Sequence, residues 1–271
     1  QGRRPGPTAA LGPVGVAPRE FPGITAALLD IVLPARRRDF GALADRILED
    51  LFAPPANAIV ALRDRRLVRT VRRLTLDAPA AAPTDGTVMI TGGFGGIGLT
   101  VAEALIRDRG ARVALLSRTA LPPRADWDTL PASHPATRRI AAVRRLEAAG
   151  GTILTLAADV ANIAEMRAAK ARIEAELGPI TGVVHAAGTI DDAPLLSKTD
   201  ASIADVLTPK VHGTRVLDTL FPDGTLDWMA LFSSSSVTTT PEGQVDYVAA
   251  NAFLDAFAAS RSGGRTRVTA I

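Results

Sequence analysis

Tyr247 is the only tyrosine in the chain. It lies four residues before Asn251, thirteen after Ser234 and thirty-seven after Lys210. A phenol is a poor acid at neutral pH until a neighbouring ammonium stabilises its phenolate. Lysine is scarce here: Lys170, Lys198 and Lys210 are the only three among 31 Lys and Arg residues. Tyr247 and Asn251, four apart, face one side of a helix. Ser234 follows an apolar strand-like run, Trp228 to Phe232, and can meet that helix from the mouth of a sheet. Phenol and hydroxyl can then converge on one carbonyl oxygen, stabilise the alkoxide that develops as hydride reaches carbon, and donate the proton. Taken singly, a serine run is a loop, a lone tyrosine is packing and an asparagine is solvated. Their joint spacing is what singles them out.

Upstream, Thr91-Gly92-Gly93-Phe94-Gly95-Gly96-Ile97-Gly98 fits both Gly-x-Gly-x-x-Gly and Thr-Gly-x-x-x-Gly-x-Gly. It stands between an apolar strand (Val88-Met89-Ile90) and an apolar helix (Leu99 to Ile106). In that context the glycines let the backbone approach a pyrophosphate, whose charge meets the helix N-terminus. The next strand ends Leu115-Leu116-Ser117-Arg118. A site for NAD carries an acidic residue there to hold the ribose 2′-hydroxyl. Ser117 and Arg118 instead suit a 2′-phosphate, so NADPH is the expected cofactor. Asp159 and Val160 close the third strand, where Asp159 either contacts the adenine edge or caps the following helix. His185-Ala186-Ala187-Gly188 closes the fourth, leaving room for a ribose and nicotinamide; His185 itself reads as a satisfied histidine at a strand end.

These residues need elements to hold them. From Gly86 on, apolar runs at 87–91, 111–116, 152–157, 182–185, 228–233 and 266–271 alternate with helical stretches near 97–109, 136–149, 162–177, 200–220 and 244–261. That alternation predicts an α/β fold with a doubly wound parallel sheet, Rossmann-like, whose ligands lie at the carboxyl ends of its strands. Before it, a helix is expected over Phe40 to Phe52, then strands Ala58–Leu62 and Leu67–Leu74 around a turn at Arg63 to Arg66. Residues 1–20, rich in Pro and Gly, read as an extended connector or a fragment of a larger unit, and Ala78 to Pro83 as a linker. Thr119 to Pro135, with Trp127, reads as a surface loop. The absence of cysteine excludes disulfides, cysteine-ligated metal and thiol catalysis, and fits a reducing cytoplasm. No metal site is expected. No apolar stretch approaches a membrane span. Net charge is +3, concentrated in residues 1–80, where arginines alternate with acids and lack aromatic stacking partners, so neither nucleic acid nor membrane is an expected partner.

Together these motifs give the chain a close similarity to the ketoreductase domains of modular polyketide synthases, a branch of the short-chain dehydrogenase/reductase superfamily. Members of the wider superfamily carry Tyr-x-x-x-Lys; here the helix has Tyr247-Val248-Ala249-Ala250-Asn251, and the lysine stands in Pro209-Lys210-Val211-His212-Gly213. Leu231-Phe232-Ser233-Ser234 and the run from Gly243-Gln244 to Asp255 match the same family. The resemblance implies reduction by NADPH of a β-ketoacyl thioester on an acyl carrier protein, among the other domains of the synthase. It implies that Tyr247 donates the proton, Ser234 binds the carbonyl, Lys210 stabilises the phenolate and contacts the nicotinamide ribose, and Asn251 positions the lysine or a relay water. Ile190-Asp191-Asp192 resembles the Leu-Asp-Asp motif of B-type members, assigning stereocontrol to Asp192. Residues 1–80 resemble part of a non-catalytic structural subdomain with its connector, and 81–271 a catalytic subdomain truncated at its C-terminus. Two features depart from the family: Val237-Thr238-Thr239-Thr240-Pro241 replaces small residues and glycine, and the final strand, lid helix and tryptophan-containing segment are not in the sequence. Two other readings stay open: a stand-alone reductase of a small ketone, and a catalytically silent, cofactor-binding scaffold domain.

Overall fold

A strand buried on both faces is apolar except where a polar side chain finds a partner. Thr87 to Thr91 is buried at all five positions, Thr87 Oγ1 donates to the Leu177 carbonyl at 2.8 Å, and Thr91 Oγ1 lies 2.7 Å from His185 Nδ1. The computed structural model describes residues 6–53, 58–73, 75 and 86–271. In chain order the first elements are α1 (Leu11–Glu20), β1 (Leu28–Ile31), α2 (Phe40–Phe52), β2 (Ile59–Leu62) and β3 (Arg66–Val68). There follow β4 (Thr87–Thr91), α3 (Gly96–Arg109), β5 (Arg112–Ser117), α4 (Thr137–Ala148), β6 (Ile153–Ala157), α5 (Ile163–Leu177) and β7 (Ile180–His185). The last are α6 (Asp200–Leu207), a π-helical turn (Thr208–His212), α7 (Gly213–Leu220), β8 (Trp228–Leu231), α8 (Ser236–Thr239), α9 (Val245–Ser260) and β9 (Arg267–Ala270).

β4 to β9 form one all-parallel sheet in the order β6-β5-β4-β7-β8-β9. The strand order reverses between β4 and β7, which opens a crevice beyond their carboxyl ends. Alternate residues feed separate cores. Met89, Ala114, Leu116 and Val183 pack with α5, α7 and α9, while Val88, Ile90, Val113 and Leu115 pack with α3. The strands and helices expected from Gly86 onward are all present, within about two residues at most ends. The exception is the stretch 200–220, expected as one helix: the π-helical turn divides it and carries a buried Lys210. None of the helices in the described residues is long and apolar enough to cross a membrane.

In the N-terminal part, β1 runs parallel to β2, and β2 antiparallel to β3. β1 was not foreseen, and β3 ends at Val68, short of the expected Leu74, which lies outside the described residues, as does the linker at Ala78 to Pro83. Beyond β3, Arg69 turns to α8, donating to the Val237 carbonyl at 3.2 Å. Residues 11–20 are the clearest correction: they form a helix, not an extended connector. Gly12 and Val16, one turn apart, are buried against α9, and a Cβ on Gly12 would lie 2.1 Å from the Val245 carbonyl oxygen. Glycine there permits helix contact, and that burial outweighs the Pro and Gly content that reads as extended chain. The segment from Thr119 to Pro135 also differs from a plain surface loop. Trp127 donates its indole N–H to the Pro122 carbonyl at 2.9 Å and packs with Ala136, Ile140 and Val143 in a small core of its own.

Candidate active site

The glycine loop links β4 to α3 beneath the crevice. Gly92 adopts φ +66°, and a Cβ there would lie 2.6 Å from the Ala186 carbonyl oxygen, so the loop and the end of β7 meet at a spacing only glycine permits. Gly93 N–H donates to the Leu116 carbonyl at 2.9 Å, seating the loop on β5. A cavity of about 370 Å³ opens above it. Thr91, Gly92 and Gly95 form its floor, Ser117 and Arg118 one rim, Asp159 and Val160 the next, and Ala186, Ala187 and Gly188 the far wall. These residues fit a dinucleotide: Gly95 and Gly96 are exposed at the start of α3, whose first-turn N–H groups have no partner within the helix, and Arg118 is exposed at the rim.

The other expected residues of the loop do not line the cavity. A Cβ on Gly93 would meet Leu115 at 2.9 Å and one on Gly98 would meet the Gly92 carbonyl at 2.6 Å, so both face protein. Phe94 turns its ring toward Arg139, 5.7 Å away, and Ile97 is half exposed. Asp159 accepts from the Ala161 N–H at 2.9 Å in a local turn, and the cap of α5 is Asn162, which accepts from the N–H groups of Ala164 and Glu165. The capping role weighed for Asp159 therefore falls to Asn162. His185 is buried, with Nδ1 2.7 Å from Thr91 Oγ1. Burial pushes it down to about 3, the Lys210 charge acts the same way, and the nearby Pro209 and Lys210 backbone opposes both. It is neutral, and its Nε2 makes no hydrogen bond among the described residues.

The reacting end is built by α9, the π-helical turn and the loop after β8. Lys210 is 5% exposed and donates to the Phe232 carbonyl at 2.8 Å. Its Nζ lies 5.6 Å from the centroid of the Tyr247 ring. A Cβ on Gly188 would sit 3.0 Å from Lys210 Cε, so the lysine stem runs along the cavity wall on its way to the tyrosine. Burial pushes this ammonium down to about 8, against the attraction of Asp255, whose own carboxyl is pushed up by burial. Asn251 is fully buried; its Nδ2 donates to the Tyr247 carbonyl at 2.8 Å, and its Oδ1 has no partner among the described residues. The serine run divides its work. Ser233 Oγ donates to the Asn251 carbonyl at 3.3 Å, while Ser234 Oγ accepts from the Ser236 N–H at 3.1 Å and its hydroxyl at 2.6 Å. With two donors on its oxygen, Ser234 keeps its own O–H to give.

On the remaining side lies the loop after β7. Asp192 Oδ2 accepts from Gln244 Nε2 at 2.9 Å, just before α9, while Ile190 is 64% exposed. Sequence reasoning missed the group beside them. Lys198 Nζ lies 2.8 Å from Asp246 Oδ2, with the two side chains 2% and 1% exposed. The scarcity of lysine was the available signal: Lys170 is accounted for by Glu174 one turn on, and Lys198 has no such local partner.

Residues 86–271 match the family described as KR domain. Among curated proteins, 5-methyl-1-naphthoate synthase of Streptomyces sahachiroi is 36% identical over 255 residues, covering 92% of this chain and 14% of that protein. The 6-methylsalicylic acid synthase of Aspergillus terreus is 43% identical over 180 residues, covering 65% and 10%. A solved ketoreductase from the first module of phoslactomycin biosynthesis in Streptomyces sp. HK803 superposes with a TM-score of 0.78 at 28% identity, covering 100% of this chain and 59% of that one. The chain thus spans a small fraction of the length of these curated relatives.

Proposed function

The chain belongs to the KR domain family, the ketoreductase domains of polyketide synthases, and from that premise we propose that it reduces a β-ketoacyl thioester on an acyl carrier protein to the 3-hydroxyacyl thioester, with NADPH. The observation that carries this reading is the buried Lys210 ammonium, held by the Phe232 carbonyl beside the Tyr247 ring, between that phenol and the glycine-floored cavity. When bound, the reduced nicotinamide supplies a hydride to the ketone carbon. Tyr247 donates its phenolic proton to the ketone oxygen, and Ser234 holds that oxygen with its O–H. Lys210 stabilises the phenolate left behind and, from the cavity wall, hydrogen-bonds the ribose. Asn251, whose Oδ1 has no partner among the described residues, would fix a relay water or the lysine. Gly92 and Gly95, with the start of α3, would hold the pyrophosphate, and Arg118 with Ser117 would take the 2′-phosphate.

In this reading residues 81–271 are the catalytic subdomain and residues 1–80 part of a structural subdomain with its connector. Asp192 and its loop give B-type stereochemistry, and the synthase works in the cytoplasm alongside its other domains. The test is NADPH oxidation with a β-ketoacyl thioester, beside Tyr247→Phe and Arg118→Ala. Tyr247→Phe is expected to lower kcat by roughly 10²- to 10⁴-fold with NADPH affinity kept. Arg118→Ala is expected to weaken NADPH by about tenfold or more and leave NADH nearly unchanged. NADPH binding without turnover in the unaltered protein would favour a silent scaffold instead.

A further inference from the structure

Between β7 and α6, residues 190–199 are tied to the start of α9 by side chains that the proposed chemistry does not use. Lys198 pairs with Asp246 at 2.8 Å, both side chains almost wholly buried, and it also donates to the Asp191 carbonyl and lies 3.9 Å from Asp191 Oδ2. The other carboxylate oxygen of Asp246, Oδ1, accepts from the Tyr247 N–H at 2.8 Å. Ala193 N–H donates to the Gly243 carbonyl at 3.0 Å. A third tie comes from far away in sequence. Glu20, the last residue of α1, accepts from the Gly243 N–H at 2.8 Å with Oε1 and from the Leu195 N–H at 2.6 Å with Oε2. One carboxylate therefore holds both the turn before α9 and the loop opposite it.

A buried ion pair is a weak source of stability, because desolvation offsets most of the attraction; its better-attested use is to fix one arrangement among several. Here the pair sits one residue from Tyr247. It is neutralised locally, is connected to backbone on both sides, and touches no reacting group. We propose that Lys198, Asp246 and Glu20 form a latch: positioning residues that set the Ile190–Asp192 loop against Tyr247 and thereby decide which face of the ketone receives hydride. The inference rests on the ketoreductase reading given above. Because Glu20 precedes the matched residues 86–271, the latch also makes α1 a working part of the site.

The test uses the full chain with NADPH and acetoacetyl-coenzyme A, reading kcat, KM, NADPH affinity and the enantiomer ratio of the 3-hydroxybutyryl product. Lys198→Met/Asp246→Asn removes both charges together, so no unpaired charge is left buried. The expected result is a protein that melts near the unaltered one and binds NADPH equally well. Its kcat should be at least about tenfold lower, with the minor enantiomer clearly raised. Glu20→Gln should move the enantiomer ratio in the same direction by less. A pair whose only role is stability would change the melt and leave the ratio alone. An unchanged kcat and ratio in the folded double variant overturns the latch. Should the double variant not fold, Glu20→Gln decides by the same ratio: a shift supports the latch and no shift overturns it. Absence of turnover in the unaltered protein would instead remove the ketoreductase reading, and the latch with it.

Discussion

α9 and α2 are both apolar-rich helices of similar length, yet eleven of the sixteen residues of α9 are buried and none of the thirteen of α2 is. α9 lies among α1, α6, α8 and β9 and carries Tyr247 and Asn251. α2 leaves Phe52 85% exposed and Leu51 68% exposed beside the small sheet. The difference teaches that this molecule invests its packing where atoms must be held still. A helix enclosed by its neighbours can keep a phenol in place, whereas the N-terminal part reaches this region through α1 and through the Arg69 side chain on α8.

The comparison breaks most directly in the middle of α9. Phe253 is 1% exposed, packs against Phe257 and lies beneath Arg215, and Phe253→Ala is expected to cost about 3–5 kcal/mol by chemical denaturation. A cost below roughly 1 kcal/mol would mean α9 is not enclosed as described. Gly12→Ala places a methyl against the Val245 carbonyl, and a loss of about 1–3 kcal/mol is expected as α1 is pushed off α9. Phe52→Ala should stay within roughly 0.5 kcal/mol, and a larger loss would show that α2 is covered in solution.

Two titrations sharpen the picture of the enclosed region. Lys210 titrates at about 8 when folded against 10.5 when free, so its positive charge, and with it turnover, should fall as pH rises through about 8. Stability moves the other way. The unfolded chain holds the extra proton between about 8 and 10.5, so this residue's contribution to stability rises across that window. His185 falls from 6.5 to about 3 on folding, so its contribution is intact above pH 6.5 and is lost as pH drops toward 3. Lys210→Met should flatten the alkaline limb of the pH–rate profile, and His185→Gln should remove part of the acid-side loss in melts taken from pH 7 to 4.

What the sequence made legible follows from range. Strands such as Val88 to Ile90 announce themselves because burial on both faces leaves no polar alternation, and Tyr247 and Asn251 because helical spacing is local. α1 hid behind its prolines and glycines, since the burial that forms it belongs to α9, more than two hundred residues on. The latch was illegible for the same reason: Glu20 meets Leu195 and Gly243 at separations of 175 and 223 residues. The division of the glycine loop, with Gly92 and Gly95 toward the cavity and Gly93 and Gly98 toward protein, needs the positions of β5 and β7, which a pattern does not carry.

The π-helical turn at Thr208–His212 has a consequence for insertions and deletions. A wider turn amounts to one extra residue in an α-helix, and each residue advances an α-helix by about 100°. α6 buries Val206, the turn buries Lys210, and α7 buries Gly213, Thr214 and Leu217, so one turn aims the lysine inward between two helices that each hold a buried face. Deleting a single residue from this turn would swing α7 by more than a quarter of a revolution, trading the lysine for its core. Chain length at this connection is therefore under chemical constraint.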